Sequence, residues 1–244
     1  MRYLLCSTML AGLCATAASA EGTLTLFANG EELATDGFNA PKLTRDGWAL
    51  QFDHIFVTLA DVTAMQTEPP YDAKTGAVPA ATTRVSFDAA QQMTIDLVAA
   101  EDDGRVTIAT LPAPDGHYNA ITWSLVPADS GDWTGQSMVF IGTATRDGDS
   151  VDFVLTSSDI HEYSCGEYVG DTRKGFVTTG AEAELELTFH LDHVFGRADR
   201  DAQDQMNIDA LGFDAFATGG AQVISLAGLH IGHVGEGHCA VRYR

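Results

Sequence analysis

Basic residues are scarce in this chain of 244 residues, which has 13 lysines and arginines against 34 aspartates and glutamates and a formal net charge of −21. A protein that binds nucleic acid needs a basic face for the phosphates, and one that adsorbs to an anionic membrane needs basic segments. The composition therefore argues against both partners. The acidity is typical of a protein that stays in solution in a cation-rich medium, and it also raises the local concentration of cations.

Long apolar runs are missing after residue 20, so the sequence predicts no membrane span. Residues 1–20 have the pattern of a secretory signal peptide, with a basic start, an apolar stretch from Leu4 to Leu13 and the small residues Ala18-Ser19-Ala20. We expect this segment to be cleaved and the protein to be periplasmic or secreted. Cys14 allows a lipoprotein interpretation, which the bulky Leu13 before it disfavours.

Cysteine is also scarce, since only Cys165 and Cys239 follow the predicted signal peptide. In an exported chain such a pair is most simply one disulfide, because the compartment is oxidising. The bridge would close a loop of about 75 residues and stabilise the fold by roughly 4 kcal/mol. The alternative is a pair of thiolate ligands for zinc or Cu(I).

Several common catalytic motifs are lacking: there is no Gly-x-Ser-x-Gly elbow, no His-Glu-x-x-His helix and no phosphate-binding loop. The sequence therefore predicts binding rather than catalysis. Two alternatives to metal binding without catalysis remain. One is an envelope or surface interaction module, in which the histidines are structural and loops are presented to a protein or glycan. The other is a metal-dependent hydrolase.

Short strands recur between turns rich in Gly, Asp and Pro, which predicts an all-β fold, mainly an antiparallel β-sandwich, formed as a single domain by residues 21–244. A hairpin is predicted from Ser137–Arg146 and Val151–Thr156, around the turn Asp147-Gly148-Asp149. One further strand is expected from Ala183 to Phe195. Apolar spacing near 3.6 residues predicts one short helix near 204–214.

A long strand is predicted from Trp48 to Val62. Side chains alternate between the two faces of a strand, so the expected faces can be written down. One face would carry Phe52, His54, Phe56 and Thr58. The other would carry Asp53, Ile55, Val57 and Leu59.

The clearest chemical signal is the placement of histidine, because six of the eight histidines lie in four short segments. These segments are Phe52–Phe56, His161–Cys165, Phe189–Phe195 and His233–Cys239. Histidine is the commonest protein metal ligand, and a neighbouring carboxylate fixes its tautomer. The segments therefore predict a transition-metal site, with zinc or copper preferred to calcium or magnesium, which favour all-oxygen shells.

Six residues are the predicted metal ligands, and they come from two Asp-His strands and one glycine-rich loop. They are His54, His190, Asp192, His193, His233 and His238. His230 either joins them or points outward from a strand. His190 and His193 cannot both bind one ion from a regular strand, since residues three apart face opposite ways, but a strand end or bulge would change this.

Three strings near the end of the chain resemble a set found together in exported bacterial proteins of unknown function. They are Thr188–Gly196, Asn207–Asp214 and Gly232–Cys239, and Asp46-Gly47-Trp48 accompanies them. The resemblance covers mainly the last sixty residues. No activity is established for such proteins, so the resemblance implies only that the strings belong together as one unit.

Overall fold

The computed structural model describes residues 21–87, 92–101 and 103–244. The predicted signal peptide and Cys14 lie outside these residues. None of the helices in the described ranges is long and apolar enough to cross a membrane.

The described part of the chain forms fifteen strands and three short α-helices. The strands are β1 (Glu21–Asn29), β2 (Ala49–Thr67), β3 (Ala81–Ser86), β4 (Met93–Asp96), β5 (Val106–Pro114), β6 (Gly116–His117), β7 (Ala120–Leu125), β8 (Met138–Arg146), β9 (Asp149–Ser157), β10 (His161–Cys165), β11 (Phe176–Val177), β12 (Glu182–Phe189), β13 (Gly220–Val223), β14 (Gly232–His233) and β15 (Cys239–Tyr243). The helices are α1 (Glu31–Thr35), α2 (Asp192–Phe195) and α3 (Gln205–Asp209).

Two large sheets make up the sandwich. The smaller has the order β14-β12-β1-β5, and the larger has the order β13-β9-β8-β2-β7-β10-β15, with β3 and β4 also paired to β2. Only the pairs β1–β12 and β9–β13 are parallel among the described strands. Leu26 and Leu187 of the smaller sheet share one buried core with Val57 and Phe140 of the larger. The prediction of an all-β, mainly antiparallel sandwich is confirmed.

The predicted long strand is β2, but its assignment of faces is wrong. The register against β8 shifts between Phe52 and His54, so Asp53 is an extra residue of a bulge. Such a residue reverses the alternation of the side chains. Phe52 is therefore buried with Ile55, whereas Asp53 and His54 are both exposed.

The strand predicted from Ala183 to Phe195 ends at Phe189, and α2 follows it. The ladders on both sides of β12 end here, since its last paired residues are Thr188 against β1 and Phe189 against β14. The next residues instead bury Leu191, Val194 and Phe195, which are spaced as on one face of a helix. On a regular strand His190 and His193 would face opposite ways, whereas with α2 in place their rings lie 5.3 Å apart.

The predicted helix near 204–214 is confirmed as a short helix but is shorter than expected, since α3 ends at Asp209. At its start the Asp204 carboxylate accepts a hydrogen bond from Met206 N (3.1 Å). Beyond the helix the Asp46 carboxylate accepts hydrogen bonds from Phe213 N (2.6 Å) and Asp214 N (2.7 Å). The backbone is already extended at Ala210, and the Asp46 anchor lies at the start of a separate 3₁₀ turn, Asp214–Phe216.

Cys165 and Cys239 form a disulfide between directly opposed residues of β10 and β15. The predicted bridge is confirmed, and the two sulfurs are thus not free thiolate ligands. The bond ties the glycine-rich loop before β15 to the large sheet. It is compatible with a location outside the cytoplasm.

Candidate functional site

Four histidines lie together at the end of the smaller sheet, and we call them the histidine cluster: His190, His193, His230 and His233. Strands β12 and β14 pair so that Phe189 opposes Gly232. The pairing continues with a hydrogen bond from His190 N to Ile231 O (2.9 Å). Because α2 folds back at once, His193 returns to the same side as His190.

The rings of the cluster are close enough to surround one ion. The ring centres are 5.3 Å apart for His190 and His193, 4.6 Å for His190 and His233, and 5.4 Å for His193 and His233. Three imidazoles that bind one ion through nitrogens at 2.0–2.1 Å have ring centres about 5 Å apart. The His230 ring stacks on His233 at 4.5 Å.

In three of these rings, Nδ1 lies within hydrogen-bonding distance of an oxygen atom. Nδ1 of His193 donates to the carbonyl oxygen of His230 (2.5 Å), and Nδ1 of His233 donates to that of Gly237 (3.3 Å). A carbonyl oxygen only accepts, so Nδ1 of both rings carries a proton, and in the neutral form of such a ring the lone pair is on Nε2. Nδ1 of His190 lies 3.1 Å from Glu31 Oε2. Metal-binding histidines are commonly oriented in this way, by a hydrogen bond from the ring nitrogen that does not bind the metal to an oxygen atom.

Three buried polar atoms at this site have no hydrogen-bond partner in the described part of the chain. They are Nε2 of His230, Nε2 of His233 and Oδ1 of Asp192. Buried polar atoms are nearly always paired, so an unpaired group calls for a physical explanation such as a bound ion or water. Two ring nitrogens and one carboxylate oxygen form a donor set suited to zinc or copper.

Burial determines whether the rings of His230 and His233 are charged. Burial and then the neighbouring imidazoles lower the pKa of His230 to about 4 and that of His233 to about 3. Both rings are therefore neutral near pH 7, which is the form that binds metals. Their Nε2 lone pairs are thus available without the loss of a proton.

The contact between Glu31 and His190 favours the charged form of both side chains. Burial acts to lower the pKa of His190, but the hydrogen bond and charge of Glu31 outweigh it and raise the pKa; the charge of Asp192 and the Gly235 backbone act in the same direction. Burial likewise acts to raise the pKa of Glu31, and its contact with His190 outweighs this and lowers it. Glu31 has a positive φ of 55°, which is unusual for a residue with a side chain and often marks a functional position.

The cluster is not a finished coordination site. Within residues 21–87, 92–101 and 103–244, no three His, Cys, Asp or Glu side chains stand in an arrangement that could hold a metal ion. The rings are gathered, but their free nitrogens do not converge on one point. Binding of an ion therefore requires side-chain rotation.

The structure does not bring two of the predicted ligands into the cluster. His54 lies on the exposed face of β2, where its Nδ1 is 2.7 Å from Asp96 Oδ2 and its ring stacks on Phe56 at 5.2 Å. His238 is exposed in the loop before β15. Of the two Asp-His segments that were expected to meet the glycine-rich loop, Asp53-His54 does not do so. Only Asp192-His193 lies near it, with the rings of His193 and His233 5.4 Å apart.

His161 is fully buried and is separated from the cluster by an aromatic side chain. Its Nδ1 is 3.0 Å from the hydroxyl of Tyr163, and the Tyr163 ring stacks on His230 with ring centres 6.1 Å apart. The Tyr163 ring also stacks on Trp123 at 4.0 Å. His161 therefore belongs to the aromatic core beneath the site.

Two glycines of the terminal loop are required by packing. A Cβ atom on Gly232 would lie 2.1 Å from Cη2 of Trp123. A Cβ on Gly235, whose φ is +59°, would lie 2.1 Å from the carbonyl oxygen of Val169. Gly232 therefore packs closely on Trp123 of β7 and Gly235 on the backbone of Val169, and these two contacts hold the chain on both sides of His233.

Sequence reasoning missed Glu31 and left His230 undecided. Glu31 is far from the other members in the chain, and no local pattern links it to them. His230 is followed by Ile231, which is 1 % exposed, so strict alternation would have pointed His230 outward. The signal that α2 would bring His190 and His193 together was the spacing of Leu191, Val194 and Phe195.

The strings singled out in the sequence do meet in space. Leu211 N donates to Val194 O (2.8 Å), and Trp48 Nε1 donates to Asp214 Oδ1 (2.9 Å). Thr188 opposes His233 across β12 and β14. Comparison with known proteins adds nothing to this, since no protein-family model, no curated protein and no solved structure matches the chain.

Proposed function

We propose that the protein binds a zinc or copper ion at the histidine cluster and serves in delivery or buffering of that ion outside the cytoplasm. His190, His193 and His233 are the proposed ligands through their Nε2 atoms. Oδ1 of Asp192 or Nε2 of His230 supplies a fourth donor. His54 and His238, which were predicted as ligands from sequence, are not part of this proposal.

One observation carries the proposal. The Nδ1 atoms of His193 and His233 are bound to carbonyl oxygens, while Nε2 of His233 is buried with no partner among the residues that the structure describes. An unpaired buried polar group costs free energy. Nε2 of the core residue His161 has no partner among the described residues either, but the cluster adds a second ring nitrogen and a carboxylate oxygen in the same state, on His230 and Asp192. An ion at Nε2 removes that cost.

The nature of the donors supports zinc or copper. Imidazole nitrogens suit both metals, whereas calcium and magnesium prefer oxygen ligands. Imidazole ligands carry no negative charge to offset that of the ion, and Glu31 and Asp192 supply negative charge beside them. The strongly acidic composition also raises the concentration of cations near the surface.

The proposed location rests on two features. Residues 1–20 have the pattern of a cleaved secretory signal, and the disulfide between Cys165 and Cys239 suits an oxidising compartment. We therefore propose a periplasmic or secreted protein. A partner in the envelope that supplies or receives the ion follows from the role in delivery.

Metal titration of the purified protein tests the proposal. We expect one equivalent of zinc or copper to bind, melting to shift upward with metal, and both effects to be lost in the His190→Ala/His193→Ala variant. His54→Ala is the matched control, since it removes an Asp-paired histidine outside the cluster and should leave binding intact. Absence of tight binding, or unchanged binding in the double variant, would show that the histidines are structural and favour the interaction-module alternative.

A further inference from the structure

A cavity with three arginines in its wall lies between the segment before β2, the loop that joins α2 to α3, and α3 itself. Its volume is about 370 Å³, and Arg45, Arg197 and Arg200 all line it. Basic residues are scarce in this chain, which has 13 lysines and arginines against 34 acidic residues. Three arginines around one cavity are therefore an unusual local concentration of positive charge.

Two of these arginines have no ion pair in the described part of the chain. Most lysines and arginines there do pair with a carboxylate. Arg197 is one of them, since its Nε and Nη2 donate to the Asp199 carboxylate at 2.9 Å and 2.6 Å. Arg45 and Arg200 form no such pair among the described residues. The wall thus carries two guanidinium charges that no contacting carboxylate offsets.

The guanidinium of Arg45 is held in place by neutral oxygen atoms. Its Nη1 donates to the carbonyl oxygens of Asn207 (2.6 Å) and Ile208 (3.4 Å), and its Nη2 donates to that of Leu211 (3.4 Å). Carbonyl oxygens orient a guanidinium without cancelling its charge, and these bonds do not use all of its N–H donors. The group is therefore positioned before a ligand arrives, which lowers the entropy cost of binding.

The buried side chain of Asn207 holds the loop that carries the other two arginines. Asn207 is 5 % exposed, and its Oδ1 accepts a hydrogen bond from Arg197 N (2.7 Å). Its Nδ2 donates to the carbonyl oxygens of Arg197 (2.9 Å) and Asp201 (3.1 Å). One residue therefore fixes the loop 197–201 through its side chain and anchors Arg45 through its backbone.

One carboxylate, that of Asp46, also lies in the wall. It accepts hydrogen bonds from Phe213 N (2.6 Å), Asp214 N (2.7 Å) and Thr44 Oγ1 (2.6 Å), so it is bound to the protein's own donors. The many other acidic residues act over longer distances, and exposed charges more than about 8 Å apart are largely screened at physiological ionic strength. The arginines that line the cavity therefore dominate the charge that a ligand meets there.

We propose that this cavity binds a small organic anion through a carboxylate or phosphate head group. Guanidinium N–H donors match the geometry of both head groups. Arg45 and Arg200 bind the head group. Ala198, Ala202 and Ile208 provide apolar surface for the carbon skeleton. No residue of the histidine cluster lines this cavity, so the inference goes beyond the proposed function and does not depend on the metal site.

Isothermal titration of the full chain without added metal tests this assignment. Succinate and glycerol 3-phosphate are the probes for the two head groups, sulfate is the inorganic anion, and succinamide is the uncharged analogue of succinate. We expect saturable binding of at least one organic anion, weaker binding of sulfate, which has no carbon skeleton, and no binding of succinamide. The tighter of the two organic anions identifies the head group.

Replacement of an arginine tests the charge of the wall. Arg200→Gln should raise the Kd of the organic anion about tenfold, because a hydrogen bond between charged groups is lost. Arg84→Gln is the matched control, since Arg84 is also exposed, forms no ion pair in the described ranges and lies outside this cavity.

A second pair of variants changes the charge of the wall with little change in size. Ile208→Glu places a carboxylate in the wall and should abolish binding, whereas Ile208→Gln should weaken it only slightly. Ile208 is 52 % exposed, so we expect both variants to fold.

The outcomes that overturn the inference are distinct from those that overturn the metal site. Absence of saturable binding of both organic anions up to about 10 mM would overturn it. Sulfate binding as tight as theirs would reduce the site to an adventitious ion only, and succinamide binding as tight as succinate would show that charge plays no part. Equal affinities within either pair of variants would place the ligand elsewhere. Failure to bind zinc or copper would overturn the proposed function alone.

Discussion

Glu31 Oε2 lies 3.1 Å from Nδ1 of His190, although 159 positions separate the two residues in the chain. The contact joins the start of α1 to the end of β12, and the parallel pairing of β1 with β12 brings these ends together. Asn29 Oδ1 accepts a hydrogen bond from Glu31 N (3.1 Å) and so supports the unusual backbone of Glu31. The carboxylate is thus held in position before any ion binds.

Replacement of Glu31 by Gln should therefore weaken metal binding. Loss of a carboxylate that orients a ligand histidine typically lowers metal affinity about 10–100-fold. Isothermal titration with zinc and copper measures the change. Glu32→Gln is the matched control, because Glu32 is the next residue of α1 and pairs with Lys42 instead. Equal affinity of the two variants would mean that Glu31 does not position His190.

Gly232→Ala should destabilise the protein, because its Cβ would lie 2.1 Å from the Trp123 ring. Overpacking of this kind typically costs about 1–3 kcal/mol of unfolding free energy. Urea denaturation followed by tryptophan fluorescence gives the value. Gly180→Ala is the control, since its φ is +73° but nothing lies within 4 Å, so it carries backbone strain without the clash. Similar losses in both variants would argue against close packing at Gly232.

Removal of the disulfide should lower both stability and metal affinity. The bridge spans 74 positions of the chain, and a loop of this length corresponds to roughly 4 kcal/mol of unfolding free energy. The Cys165→Ser/Cys239→Ser variant also frees the loop that holds His233. Thermal melting and metal titration of this variant measure the two effects. Metal affinity equal to that of the oxidised protein would show that the bridge does not support the site.

Asp159 should make stability depend on pH in the acid range. Its carboxylate accepts hydrogen bonds from Leu226 N (2.6 Å), Ala227 N (3.0 Å) and Ser225 Oγ (3.0 Å). Burial acts to raise the pKa of Asp159, but these hydrogen bonds outweigh it and hold the pKa below the ordinary value of 3.8.

The stabilisation by Asp159 is therefore complete above pH 3.8 and is lost as the pH falls through the lower folded-state pKa. Asp159→Asn should be less stable than the wild type at pH 7, and the difference should shrink below pH 3.8. Urea denaturation of both proteins at pH 7, 5, 4 and 3 tests this. A difference that stays constant over this range contradicts it.

Local patterns in the sequence correctly predicted several elements. The turn at Asp147 and Gly148 is formed with φ values of 55° and 92°, as a two-residue hairpin turn with left-handed residues requires. The cysteine pair follows from composition, because only two cysteines follow the predicted signal peptide. These features depend on residue types and local turn chemistry, which the sequence records directly.

The errors arose where a partner from elsewhere in the chain determines the outcome. The Asp53 bulge exists only in the register of β2 against β8, and it keeps His54 away from the histidine cluster. The end of β12 is set by where its pairing with β1 and β14 stops, at Thr188 and Phe189. Neither partner can be identified from the segment itself, because strand pairing depends on contacts distant in sequence.

The sequence by itself determined the β-rich class, the disulfide pair, the acidic character and the histidine-rich segments. The tertiary structure decided which histidines meet, that Glu31 joins them and that three arginines line one cavity. The physical reason is that residue type sets what a side chain can bind, whereas the long-range pairing of strands sets which side chains come within reach of each other.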